Sequence, residues 1–207
     1  MHIQPLFAEQ NRHALHRLIR AYPLATLITQ TAQGADANLL PLDISDAGPN
    51  GRLSGHVART HSLWCEQADG SDVLVMFQGP NAYISPRWYV NGQRSGRLAP
   101  SWNYVAVQAR GRMRFIDDGH WVATHLASLT AQQESGRDRP WSLDDASPQF
   151  VEEASRHLIG FEIDIVELTG KRFLSQQRTP ADRRSIVQQL GLETSGSARD
   201  LAALIAP

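Results

Sequence analysis

Strand-length apolar segments follow one another through this chain with no regular alternation of strand and helix, and that order limits the fold more than any single motif does. Leu24 to Thr29 and Ala35 to Leu42 flank Gln33-Gly34 and read as a hairpin, and Arg52 to Val57 is a further strand. Asp72 to Phe77 holds Val73-Leu74-Val75-Met76-Phe77, an apolar run with the length of a buried strand, closed by Gly79-Pro80. It is expected at the centre of the sheet. Asn81 to Ser85 reads as a separate strand, and Trp102 to Ile116 as a long one with Gly111 a candidate bulge. Phe161, Ile163 and Ile165 alternate with Glu162 and Asp164 in a half-buried strand, expected to turn at Thr169-Gly170 into the strand that carries Lys171.

Helices frame these strands. Glu9 to Tyr22 places Ala14, Leu15, Leu18 and Ile19 at helical spacing and is closed by Pro23. Thr60 to Gln67 suits a short helix, with Thr60 able to cap it and Trp64 in the core. Asp118 to Gln133 carries Trp121, Val122, His125, Leu126 and Leu129 on one stripe, with Asp117 or Asp118 as cap. Pro148 to Leu158 has Ser147 as cap and Pro148 at its first position, and Ala181 to Leu190 is the last helix. Val90 to Pro100 reads as an exposed loop, Glu134 to Asp145 as a polar linker and Glu193 to Asp200 as a loose tail. The expected class is α+β, mainly β: an antiparallel barrel with peripheral helices, one domain over residues 1–192 and a tail over 193–207.

Composition removes several classes. With 207 residues, 42% of them hydrophobic, the chain can bury a substantial core and is not disordered. Cys65 is the single cysteine, which excludes intrachain disulfides, Cys-based zinc sites and covalent c-type haem. No run approaches the roughly 18 apolar residues of a bilayer span, and the first residues (His2, Gln4, Pro5, Glu9, Arg12) lack the pattern of a signal peptide. The expectation is a cytoplasmic protein without a membrane partner. A net charge of -1 offers no overall attraction for nucleic acid. Neither G-x-G-x-x-G nor a Walker A pattern is present, so any nucleotide must be held in another way.

Candidate chemistry gathers at two places. Lys171 is the one lysine in a chain that otherwise uses arginine, and it sits in Gly170-Lys171-Arg172-Phe173-Leu174-Ser175-Gln176. On a strand Lys171 and Ser175 share a face, which sets a compact ammonium beside a hydroxyl, a pairing suited to phosphate. The other place is Tyr83-Ile84-Ser85-Pro86-Arg87-Trp88-Tyr89 with Pro100-Ser101-Trp102-Asn103-Tyr104, where aromatic faces interleave with donors and acceptors. Packing alone also accounts for such aromatics. Arg110, Arg112 and Arg114 make a compact cationic stripe on one strand face, suited to phosphate or to pairing with carboxylates.

These segments, together with Gly55-His56-Val57-Ala58-Arg59, Leu63-Trp64 and Phe77-Gln78-Gly79-Pro80, resemble the PaiB-like FMN-binding proteins, a family often labelled negative transcriptional regulators. The resemblance runs from the first helix to the Pro180-Asp182-Arg183 region. It implies an FMN-binding split β-barrel that forms a homodimer with flavin at the subunit interface. The candidates for the phosphate are Arg59, Thr60, Lys171 and Ser175, those for the flavin ring are Trp102, Asn103 and Gln176, and Ser101 is a further cofactor-binding candidate. Arg172-Phe173 and Gln177 depart from the family's usual Gly-Lys-aromatic-Lys-Leu-Ser-Gln-Asn, and Val90-Asn91-Gly92 replaces a Pro-Ser-Lys stretch. The resemblance leaves a regulator, with DNA as partner, and a flavin-dependent oxidoreductase both open; no side chain stands out as catalytic. Other readings are a haem-binding split barrel, since eight histidines are available, and a cofactor-free interaction dimer.

Overall fold

The computed structural model describes residues 1–91, 93, 96 and 98–206. Gly92, in the stretch that departs from the family pattern, lies outside the described residues, as does part of the loop expected from Val90 to Pro100. Eight strands are described: β1 (Ala8–Glu9), β2 (Leu24–Thr31), β3 (Gly34–Pro41), β4 (Asp43–Ser45), β5 (Arg52–Ala58), β6 (Ser71–Ile84), β7 (Ser101–Ile116) and β8 (Leu158–Phe173). The α-helices are α1 (Arg12–Ala21), α2 (Ser62–Glu66), α3 (Gly119–Glu134), α4 (Pro148–Arg156), α5 (Pro180–Leu192) and α6 (Gly196–Leu204). The sheet runs β3-β2-β6-β7-β8-β5-β4, with β1 added against β8. β2 and β3 form the expected antiparallel hairpin, Leu24 opposite Pro41 and Thr31 opposite Gly34. β5 pairs antiparallel with β8, from Arg52 opposite Asp164 to Ala58 opposite Leu158.

The chain divides into two compact units, one of Met1–Tyr22, Phe77–Gln108 and Thr169–Pro207, the other of Pro23–Met76 and Ala109–Leu168. In the first, Ile84, Tyr89, Val105 and Leu174 pack with Ile186 and Leu190 of α5 and with Ala198 and Leu201 of α6. In the second, Leu27, Leu53, Val75, Met113, Phe161 and Ile163 are fully buried. Gly55 is required there because a Cβ at that position would press into Phe161 and Leu42.

Several boundaries differ from the sequence reading. Gly79-Pro80 does not divide two strands; β6 continues through it, and its inward positions shift from Val73, Val75 and Phe77 to Pro80 and Ile84. A Cβ at residue 79 would collide with Val105, so this glycine admits a close approach. β8 is likewise one strand through Thr169-Gly170, because β1 pairs there, with Glu9 opposite Gly170 and Ala8 opposite Lys171. The inside-outside alternation of β7 is unbroken from Ala109 to Met113, so Gly111 is no bulge; it clears the backbone carbonyl of Asp164. α2 is capped by His61, whose side chain accepts from the Leu63 amide, and Leu63 rather than Trp64 is the buried residue. Asp118 caps α3 and Ser147 caps α4. Where a loose tail is expected, α6 forms and buries Ala198 and Leu201, followed by buried Ile205.

Candidate functional site

β8 ends in Gly170-Lys171-Arg172-Phe173, and local packing decides where each side chain goes. Gly170 has no room for a Cβ, which would strike Leu15 of α1. That close seat brings the N-terminal segment beside Lys171. Lys171 Nζ donates to the carbonyl of His2 at 3.2 Å and lies 5.2 Å from the centre of the Tyr104 ring. Arg172 points to the other side and pairs with Glu9 at 3.6 Å. Phe173 returns to the side of Lys171, edge-on to Phe7 at 4.4 Å and tilted against Tyr104 at 6.1 Å. Gln4, Phe7, Tyr104, Lys171, Phe173 and Gln177 line a cleft of about 390 Å³.

β7 supplies the adjoining surface. Trp102 and Tyr104 are two residues apart and share a strand face, whereas Asn103 points inward. Trp102 is 55% exposed, packs edge-on to Tyr83 at 6.2 Å, and donates from Nε1 to Asn81 Oδ1 at 3.0 Å. It lines a second cleft of about 390 Å³ with Tyr83 and Trp88. Ser101 opens the strand half-buried.

Three candidates are spent inside the chain. Asn103 is fully buried, and its Nδ2 donates to Ser175 Oγ at 2.8 Å. Ser175 is 1% exposed and held at φ 61°, a left-handed conformation uncommon outside glycine. The strand ends at Phe173, so Ser175 does not share a strand face with Lys171. Gln176 folds back locally: its Oε1 accepts from the Leu174 amide at 2.7 Å and its Nε2 donates to the Arg172 carbonyl. Asn103 Oδ1 is left buried with no hydrogen-bond partner.

Arg59 and Thr60 belong to the other unit, in the turn after β5. The Arg59 guanidinium forms a two-pronged contact with Asp117, and Nε donates to the Arg156 carbonyl at 2.6 Å. This guanidinium holds the Asp117 carboxyl below its ordinary range. In the same unit His56 Nδ1 and His125 Nε2 lie 3.2 Å apart, with Trp121 stacked on His125. Burial pushes both imidazoles down, His125 to about 4, and His56 beside it adds to the shift. Arg110 meets Glu167 at 3.9 Å, Arg112 meets Asp72 at 3.5 Å and Arg114 binds Glu162. Each arginine of the stripe faces a carboxylate.

The structure thus brings Lys171 together with Tyr104 and Gln177, and Trp102 with Tyr83, while Asn103 Nδ2 is bonded to Ser175 Oγ, Gln176 is bonded to the backbone, and Asn103 Oδ1 alone is left over. Sequence reasoning placed Tyr104 in the aromatic segment and Gln177 among the departures from the family motif but named neither as a cofactor contact, and it did not pick out Gln4. The period-two rule would have found Tyr104 from Trp102, but Gln4 joins only through the fold of the N-terminus.

Comparison with known proteins agrees with this architecture. Residues 1–167 match the family described as "Putative FMN-binding domain". The chain is 31% identical to the Protease synthase and sporulation protein PAI 2 of Bacillus subtilis over 206 residues, 99% of this chain and 96% of that protein. Among solved structures, the FAD and haem binding protein of Mycobacterium smegmatis superposes with a TM-score of 0.59 at 16% identity, covering 80% of this chain and 73% of that one. The flavocytochrome Anf3 of Azotobacter vinelandii gives 0.58 at 15%, covering 83% and 72%. These two likenesses show the fold, the mostly antiparallel split barrel with peripheral helices. The sequence match goes further: the chain belongs to the FMN-binding-domain family, and its cofactor is FMN.

Proposed function

We propose that this protein is a homodimeric, cytoplasmic flavin-dependent oxidoreductase whose FMN contacts the cleft at Lys171. The donor set of that cleft carries the reading: one ammonium, the amides of Gln4 and Gln177, and the aromatic walls Phe7, Tyr104 and Phe173. These groups fit a flavin. Lys171 would hold the phosphate as a point charge, Tyr104 and Trp102 would offer faces to the ring, and the two amides would meet its polar edge. Bound FMN would supply the electron transfer; the side chains bind, orient and exclude water. Arg59 has no role in this reading because Asp117 already occupies its guanidinium. Support for a dimer comes from Leu6, Tyr83, Val90 and Trp102, large side chains left 48–61% exposed in one unit.

A regulatory role is the second reading, favoured by the likeness to PAI 2, a protein named for protease synthesis and sporulation. DNA would then have to compete with Glu167, Asp72 and Glu162 for the arginine stripe. Among the described residues no helix is long and apolar enough to cross a membrane, and no cluster of three or more His, Cys, Asp or Glu is arranged for a metal.

The test is an absorption spectrum of the purified protein followed by fluorescence titration with FMN and then by NAD(P)H oxidation. Stoichiometric uptake with turnover supports the oxidoreductase. Uptake without turnover toward any electron acceptor leaves the regulator, and a red-brown protein or a colourless one that ignores FMN sinks both.

A further inference from the structure

We propose that the cleft between α3 and α4 binds a small organic cation, an apolar body carrying one protonated amine. The cleft measures about 680 Å³, within the range of small-molecule sites. It lies wholly in the unit of Pro23–Met76 and Ala109–Leu168 and does not depend on the flavin assignment. Ala123, Leu143 and Val151 supply apolar wall. Ser155 is the decisive group: it lines the cleft, is 3% exposed, and its hydroxyl has no hydrogen-bond partner. A buried hydroxyl without a partner is rare in a folded chain, and a ligand group beside it would satisfy it.

The charges choose the sign of that ligand. Glu152 is already bound to Arg156 one helical turn away, so these two neutralise each other. Asp144 also lines the cleft, and its carboxylate has no partner among the described residues; the neighbouring Asp145 is the one that caps the turn at Leu143–Asp145. An anion would meet the unpartnered Asp144, and apart from the His120 imidazole, which also lines the cleft, no unpaired basic side chain among the described residues lines it to offset that charge. An ammonium meets Asp144, its apolar body covers the wall, and Ser155 completes the polar contact.

The test uses FMN-saturated protein and two probes of equal body and opposite charge, phenethylamine and phenylacetate, followed by amide NMR shifts of residues 119–123 and 143–156. The expected result is saturable shifts with the amine, about tenfold weaker binding of the carboxylate, and about tenfold loss in Asp144→Asn. Ala123→Phe fills the cleft and should abolish the shifts at unchanged FMN stoichiometry; if that variant fails to fold, Asp144→Asn alone decides. Absence of saturation at about 10 mM amine, equal binding of phenylacetate, displacement of the amine by excess FMN, or indifference to Asp144→Asn would each overturn the proposal.

Discussion

Lys171 and Arg172 are adjacent cations with opposite surroundings: one beside Tyr104 in a cleft, the other against Glu9. Lys171→Ala should therefore weaken FMN by about 1.5–3 kcal/mol, roughly ten- to a hundredfold in Kd, whereas Arg172→Ala should leave it within about twofold. Fluorescence titration distinguishes them, and equal losses would place the phosphate elsewhere. The histidine pair makes a different prediction. His56 and His125 are held neutral by burial, with Asp43 the nearby carboxylate opposing the shift on His125. Their depressed folded values mean that stability is complete above the ordinary value near 6.5 and falls as pH drops below it, the loss levelling off only below about 4. His125 alone accounts for up to about 3 kcal/mol. Urea midpoints between pH 7.5 and 4 would show the decline, and His125→Gln should flatten it.

At the level of elements, legibility depended on whether the signal was local. The caps Asp118 and Ser147 and the β2–β3 hairpin were readable because each rests on a few neighbouring residues. Gly79-Pro80 was misread because Val105 and Tyr22, both distant in sequence, explain the glycine. The pairing of Arg59 with Asp117, 58 positions on, was likewise invisible, and it decides whether that cation is free for a phosphate. Gly160 is a case where the structure makes a sharp statement: a Cβ there would enter the Trp121 ring. Gly160→Ala should displace α3 from the sheet and cost about 1–3 kcal/mol. A lowered denaturation midpoint, together with loss of the ring-current shift that Trp121 imposes on His125, would report it. α6 was overlooked because Glu193 to Asp200 is polar; its apolar residues Ala198 and Leu201, with Ile205 beyond, follow helical spacing into the first unit's core. Leu201→Ala should cost about 2–5 kcal/mol in a chemical melt, and a tail would cost nothing measurable.

For the molecule as a whole, the exposed Leu6, Tyr83, Val90 and Trp102 set an expectation for assembly. Sedimentation should give a dimer, and Trp102→Glu should shift it towards monomer. The same unit has a consequence in time. Its core joins Leu18, near the start of the chain, to Leu201 and Ile205, far downstream. During synthesis the first segment must wait, unpaired on its apolar side, until the ribosome has released the stretch that seats it. Residues 23–76 and 109–168 have emerged well before then. The segment around Leu18 is thus made long before the residues that complete its packing, so its apolar side stays open for that interval.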